Sequence, residues 1–456
     1  MPMSRPSSPT PVVRLYETTD PSALWPELLK KYGEIAPVEL EPGVHGWLLL
    51  SWRLNWEVMR DHQTYARDPD RWAAMTDGRI GPQSPLRILF GKYQSALYSD
   101  GAEHERYRNA LLTALKSLTF SQVVQHITAA ADQLIDAFCL HGKADLVTQY
   151  TRQLPVTVLC RLFGLGPAEV MRICLEMQAM WGEGPDAFPA RLRIAEMLTD
   201  LARRRRRAPG NDLASSLVAQ GLSDVEVRDN LLLIIAAADD PVTHLIGNTI
   251  RMLLVDSGVR ARLATSSTLI AETVNTALWT DPPLQTLIGR YPVQDVRLAG
   301  AHVRAGDCLV LGFAAASLDL MARSGPDAML TNRAHLTWGV GPHTCPVRGQ
   351  DMALAIAETA VDRLLRRLPD LALSVPPDQL RWRPSLTVRG LEALPVRFTP
   401  VPVSNPGGTS WDTPAAPTPS ISTPPAESTS PPKDANSSKK ARWYGWLFPG
   451  TWRSGH

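Results

Sequence analysis

The sequence predicts a mostly helical single domain with a small β region. Two observations carry this. Five long segments repeat apolar residues three and four apart, each with a glycine or proline nearby to end it, while one segment alternates with a period of two. A sixth helical segment, beginning VRDNLLLIIAAADD and ending at Leu254, is apolar on nearly every face, the pattern of a helix at the centre of a large domain.

In chain order, residues 1–14 are Pro/Ser-rich and read as disordered, with no apolar region of a secretory signal. Residues 15–400 read as one unit. Its helices are SALWPELLKKYG, EHERYRNALLTALKSL, QVVQHITAAADQLIDAFCLHG, AEVMRICLEMQAM, the apolar segment and DMALAIAETAVDRLLRRLPD. DVRLAGAHVRAGDCLVLG reads as a hairpin followed by a third short strand. The longest apolar run, LLLIIAAA at 231–238, stops at Asp239 and is too short to span a bilayer. From about 401 to 456 a Pro/Ser/Thr tract lacks the apolar content to fold. It ends in ARWYGWLFPGTW, whose aromatic and basic residues leave a partner or membrane-surface anchor open.

Charge excludes some functions. The 47 basic and 45 acidic side chains give a net charge of +2, against a nucleic-acid binder. The run of five arginines at 203–207 reads as a solvated helix end before APGND. The five cysteines are odd in number and without CxxC spacing, so neither a disulfide framework nor a zinc site is indicated, which suits a reducing cytoplasm. Four of them, Cys139, Cys160, Cys174 and Cys308, sit in apolar patterns and read as core.

Cys345 differs. It lies in WGVGPHTCP, where Gly339 and Gly341 permit backbone conformations closed to other residues and can aim N–H groups at one point. A helix begins just beyond it, and its N-terminal dipole favours a thiolate. A thiolate held by N–H groups is a strong ligand for iron.

WGVGPHTCP resembles the haem-binding loop of cytochrome P450 enzymes, whose pattern is F/W-G-x-G-x-H-x-C. NRAHLTWGVGPHTCP, DGAEHERYR, LIGNTIRMLL, DPPLQ and DVRLAGAHVRAGD resemble soluble bacterial members, in the same order and at similar intervals. The resemblance implies the P450 fold, a bound haem b (iron protoporphyrin IX), and Cys345 as its axial thiolate and metal ligand. It implies that His104 and Arg108 (the family's H-x-x-x-R), Arg290 and His343 bind the two haem propionates, which as buried carboxylates need partners. Electrons would come from NAD(P)H through a ferredoxin reductase and a ferredoxin, dioxygen would be the oxidant, and a small apolar molecule the substrate. Pocket residues are expected around 75–95, 233–240, 284–289 and 391–394.

Three departures stand against the pattern. The central helix, usually A-G-x-[D/E]-T, reads Ala237, Ala238, Asp239, Asp240, Pro241. Asp240 keeps the acid and is the candidate proton relay. Pro241 replaces the alcohol and frees the carbonyl of Ala237, and Thr243 lies about 200° further round the helix. The family's E-x-x-R is missing, with Thr276 and Trp279 at its positions and Glu272 one turn too early. After the cysteine, CPVRGQDMA carries Val347 and Arg348 as an apparent insertion, and Arg348 reads either as a contact for an acidic ferredoxin or as a solvated charge. The expectation is a cytoplasmic haem-thiolate monooxygenase. The alternative, to which the departures lean, is a catalytically weak haem-binding regulatory or interaction module.

Overall fold

The computed structural model describes residues 12–404 except 18–20, 82–83, 182–185, 257, 259–267, 326–331, 384 and 386. The expectations for most of the N-terminal stretch and for the tail from 405 to 456 lie outside the described residues.

The central helix is Asp224–Val255. Ser223 starts it: its hydroxyl accepts the Glu226 N–H while the Glu226 carboxylate accepts the Ser223 N–H, a reciprocal cap that satisfies two end donors. Around it pack Gln153–Leu162, Ala187–Arg207, Thr268–Thr280 and Val347–Arg367, and the last of these also lies against Phe120–Asp136. Arg363 clasps Asp132 at 2.7 Å and Arg367 reaches Asp136 at 2.6 Å, so the apolar contact between those two helices is edged by ion pairs. By length and composition the central helix could cross a membrane, but 61% of its most apolar window is buried inside the protein. It also buries Asp229, Asn230, Asp239, Asp240 and Asn248, as a core helix can where neighbours supply polar partners.

Strands are more numerous than the sequence suggested. A six-stranded sheet runs Val13–Arg14, Ile35–Glu41, Val44–Leu49, Cys308–Gly312, Thr286–Pro292 and Tyr65–Ala66 in spatial order. The predicted hairpin forms between Val296–Leu298 and Ala301–Val303, turning on Ala299 and Gly300, both at positive φ. The third predicted strand, Cys308–Gly312, leaves the hairpin and enters the large sheet, parallel to Val44–Leu49 and antiparallel to Thr286–Pro292. All five of its residues are buried, which explains its unbroken apolar sequence.

The arginine run ends the helix Ala187–Arg207 and is mostly exposed, as expected, but it also makes ion pairs with its neighbours. Arg204 pairs with Glu169, Arg205 with Asp212 at 2.7 Å, and Arg206 with Asp224 at 2.9 Å while also donating to the Leu222 carbonyl. These bonds tie the end of Ala187–Arg207 to its neighbours and satisfy carbonyls that a loop would otherwise strand.

The C-terminal segment meets the central helix at one tight point. A methyl group added at Gly390 would lie 1.7 Å from Nδ1 of the buried His244. Gly390→Ala therefore costs about 1–3 kcal/mol in urea unfolding as an overpacked core site. Combined with His244→Ala, the double variant is expected to be more stable than the two single effects sum to.

Candidate functional site

Gly101–Ser117 presents His104 and Arg108 one turn apart on one face. His104 is buried, Arg108 half-buried. The cysteine loop brings His343 against His104, with ring centroids 4.1 Å apart. His343 Nε2 lies 3.0 Å from the Ser99 carbonyl, while its Nδ1 is buried without a partner. Strand Thr286–Pro292 supplies Arg290, 3% exposed, whose Nε and one terminal nitrogen also lack partners. His104 Nε2 is a further buried nitrogen with no partner. Thus three of the sequence-predicted residues, from three separate elements, bury unpartnered nitrogens.

Their electrostatics follow from that burial. It pushes the His343 imidazole down to about 2, with Arg290 and His104 adding to the effect. It likewise pushes the Arg290 guanidinium down to about 9, helped by Arg67. Arg67 carries no signal in the sequence. It is fully buried, donating to the carbonyls of Ile288 and Gly289 and so buttressing the strand next to Arg290. Gly289 is required there: its φ is +110°, and a Cβ would lie 2.7 Å from the Arg67 guanidinium.

The cysteine loop is built as its glycines predict. Gly339 and Gly341 have φ of +66° and +79°, and a Cβ at Gly341 would lie 2.7 Å from the Met59 carbonyl. The Cys345 N–H donates to the Trp338 carbonyl at 2.7 Å, and Gln350 Nε2 donates to the Cys345 carbonyl at 2.8 Å. Helix Val347–Arg367 starts two residues after the cysteine. A Cβ at Gly349 would stand 3.4 Å from Sγ, so the sulfur rests on the helix's first turn. One expectation is corrected. Among the described residues no N–H reaches Sγ; its polar contact is with the Pro346 carbonyl at 3.7 Å. Burial pushes the thiol up to about 11 against the pull of Arg108, so in the protein alone Cys345 is a thiol.

On the central helix, Ala236 and Ala237 are exposed although Ile235 and Asp239 beside them are buried. Asp240 points elsewhere. Its carboxylate lies 3.2 Å from His244 Nε2 and 3.7 Å from Arg383. Burial alone would raise this carboxyl, but Arg383 and then His244 hold it well below the usual carboxylate range. With Asp239, Thr243, Arg152, Gln153 and Gln178 it lines a small cavity between the central helix, Gln153–Leu162 and Pro167–Trp181. The Thr243 hydroxyl is taken by the Thr151 carbonyl at 3.1 Å, so it does not replace the missing alcohol. His244, one turn from Asp240, went unread in the sequence although the four-residue spacing was there to find. Arg348 donates to the Leu118 carbonyl at 3.0 Å and sits over Phe120; it is neither free in solvent nor unattached.

No protein-family model matches the chain. Curated relatives do. It is 30% identical over 312 residues to the vitamin D(3) 25-hydroxylase of Pseudonocardia autotrophica, covering 66% of this chain and 77% of that one. It is 29% identical to cytochrome P450 107B1 of Saccharopolyspora erythraea over 66% of this chain and 76% of the relative. The chain belongs to the cytochrome P450 family. It is also 27% identical to the 2-hydroxy-5-methyl-1-naphthoate 7-hydroxylase of Streptomyces carzinostaticus, over 81% of this chain and 93% of the relative. Among solved structures, testerone-bound CYP154C4 from Streptomyces sp. ATCC 11861 superposes with a TM-score of 0.77 at 26% identity, covering 85% of this chain and 98% of that one. Myxobacterial CYP267B1 in complex with myristic acid gives 0.72 at 26%, covering 83% and 96%.

This P450 is therefore an oxidoreductase with the family's mostly helical fold and a general monooxygenase role. The family implies haem, and the residues present fit it. A dianionic, planar group needs buried donors without competing acids, and His104, His343 and Arg290 offer nitrogens that no described residue hydrogen-bonds. Buried cations without counter-charges cost stability. Arg290→Met is accordingly expected to stabilise the apoprotein by about 1–3 kcal/mol in urea unfolding, and the same change is expected to weaken haem uptake in a reconstitution titration.

Proposed function

We propose that the unit over residues 15–400 is a haem-thiolate monooxygenase that oxidises an apolar small molecule in the cytoplasm. It would take electrons from NAD(P)H through a ferredoxin reductase and a ferredoxin. The carrying observation is the set of buried, unpartnered nitrogens of His104, His343 and Arg290 around a half-exposed cysteine on a helix's first turn. The relatives include a 2-hydroxy-5-methyl-1-naphthoate 7-hydroxylase, a mycinamicin IV hydroxylase/epoxidase and a vitamin D(3) 25-hydroxylase, which supports a small organic substrate.

In this reading Cys345 loses its proton on ligating iron, since a coordinating thiol is deprotonated outright. Arg108, the charge that already draws on the sulfur, turns with His104, Arg290 and His343 to the propionates. Haem, when bound, supplies the iron centre at which dioxygen is activated. Ala236, Ala237 and Pro241 would bring no hydroxyl to this stretch of the central helix, and the Ala237 carbonyl that Pro241 frees would, with Asp240, hold a water there. Asp240, kept ionised by Arg383, accepts hydrogen bonds and orients a proton path instead of storing a proton.

The reduced protein under carbon monoxide is expected to give a thiolate-type Soret shift that Cys345→Ser abolishes; absence of the shift in the wild type removes the reading. A second reading, haem binding without turnover, is favoured by one observation. Pro241 brings no hydroxyl, and Asp240 is engaged by His244 and Arg383. Surrogate redox partners and a panel of lipophilic substrates separate the two. Under the monooxygenase reading, Asp240→Asn is expected to lower substrate-dependent NAD(P)H consumption and product yield per NAD(P)H by about 10-fold or more. NAD(P)H consumption that never depends on substrate favours the second reading.

A further inference from the structure

Helix Thr268–Thr280 lacks the charged pair expected on it, yet it grips the chain that leads into the cysteine loop. Asn275 and Trp279 stand one turn apart, and both aim N–H donors at one acceptor. Trp279 Nε1 lies 3.0 Å and Asn275 Nδ2 3.2 Å from the Asn332 carbonyl. We propose that Trp279, with Asn275 and His335, forms an uncharged lock that positions the Cys345 loop. Its bearing on haem rests on the haem-thiolate reading; its bearing on the loop does not.

The contacts run from the helix to the backbone N–H of Cys345. The Trp279 indole, 1% exposed, meets the His335 ring edge-on at 5.6 Å, a favoured aromatic geometry. His335 in turn lies 6.4 Å from the Trp338 ring. The Trp338 carbonyl accepts the Cys345 N–H at 2.7 Å and the Thr344 hydroxyl at 3.2 Å. From the opposite side Trp52 Nε1 donates to the Ala334 carbonyl at 3.0 Å, so the segment before the loop is held between two indoles. Burial pushes the His335 imidazole down to about 4, so the relay is uncharged at neutral pH. The ion pair of Glu272 with Arg333 at 2.9 Å is largely solvent-exposed, where such pairs contribute little. Thr276, at the other position of the absent pair, spends its hydroxyl on the Glu272 carbonyl of its own helix.

Trp279→Phe keeps a ring and removes the donor. Trp25→Phe is the control, because Trp25 is also buried and bonds through Nε1 to Gln285, away from the loop. Hydrogen exchange on the apoprotein is expected to speed up in 332–345 for Trp279→Phe and not for Trp25→Phe. In the holoprotein, Trp279→Phe is expected to transfer haem to apomyoglobin about 5-fold faster than wild type, the effect of one lost buried hydrogen bond. Asn275→Ala, removing the second donor, is expected to act in the same direction and serves if Trp279→Phe fails to fold. Unchanged exchange in 332–345 for both lock variants, or equal opening in Trp25→Phe, overturns the proposal. If the wild type gives no thiolate-type Soret band, the haem-thiolate reading fails while the exchange comparison still decides the lock.

Discussion

The structure depends on keeping several nitrogens buried without a hydrogen-bond partner among the described residues, although one acid, Asp100, stands close by. An unsatisfied buried donor costs about 1–3 kcal/mol, more when charged, so a fold that gathers His104, His343 and Arg290 must hold them rigidly. Each is fixed from behind. His343 is held by the Ser99 carbonyl and the His104 ring, and Arg290 by a strand whose carbonyls are occupied by Arg67. Asp100, the nearest carboxylate, has its oxygens on the N–H groups of Arg67 and Asp68 and stays 4.0 Å from His343. An acid close enough to neutralise the cluster is thus turned to backbone work. Cofactor binding then recovers a cost the fold has already met, which couples binding to stability.

The central helix applies the opposite rule. Asp240 is buried with Arg383 and His244 in contact and Arg152 nearby, and Arg383 before the others holds it ionised. Ala236, Asp240 and His244 follow one another a turn apart on one face, so that face is open at Ala236 and Ala237 and closes over a satisfied acid one turn later, where Gln153–Leu162 packs.

The sequence made the cysteine loop legible because its function needs unusual residues at fixed spacing. Gly339, Gly341, His343 and Cys345 could be read without coordinates. The helices were legible through their periodicity, and His104 with Arg108 through the resemblance of H-x-x-x-R to the family's pattern. The sheet was harder. Val44–Leu49 is a short run whose pairing with Cys308–Gly312 spans some 260 residues, and no local pattern encodes that. Arg67, Arg383 and Trp279 were missed for the same reason: each acts through a partner distant in sequence. The N–H donors expected at Sγ were read from the glycines' freedom, but those N–H groups serve the loop's own turns, as Gly339 N–H does on the Leu336 carbonyl.

Proline in a helix interior costs about 3 kcal/mol, through a lost hydrogen bond and a clash with the carbonyl one turn back. Helix Asp224–Val255 nevertheless runs through Pro241 without interruption. The position limits the damage. The carbonyl released is that of Ala237, which stands in the exposed strip of the helix rather than in its buried face, so no buried acceptor is stranded. On the buried side the neighbouring residues are anchored independently, Asp240 by His244 and Arg383 and Thr243 by the Thr151 carbonyl. A proline one residue earlier would displace Asp240 from its cation pair, and one two residues later would take the place of Thr243. Of these three positions, 241 is the one where a backbone donor is given up without replacing a side chain that holds a buried partner.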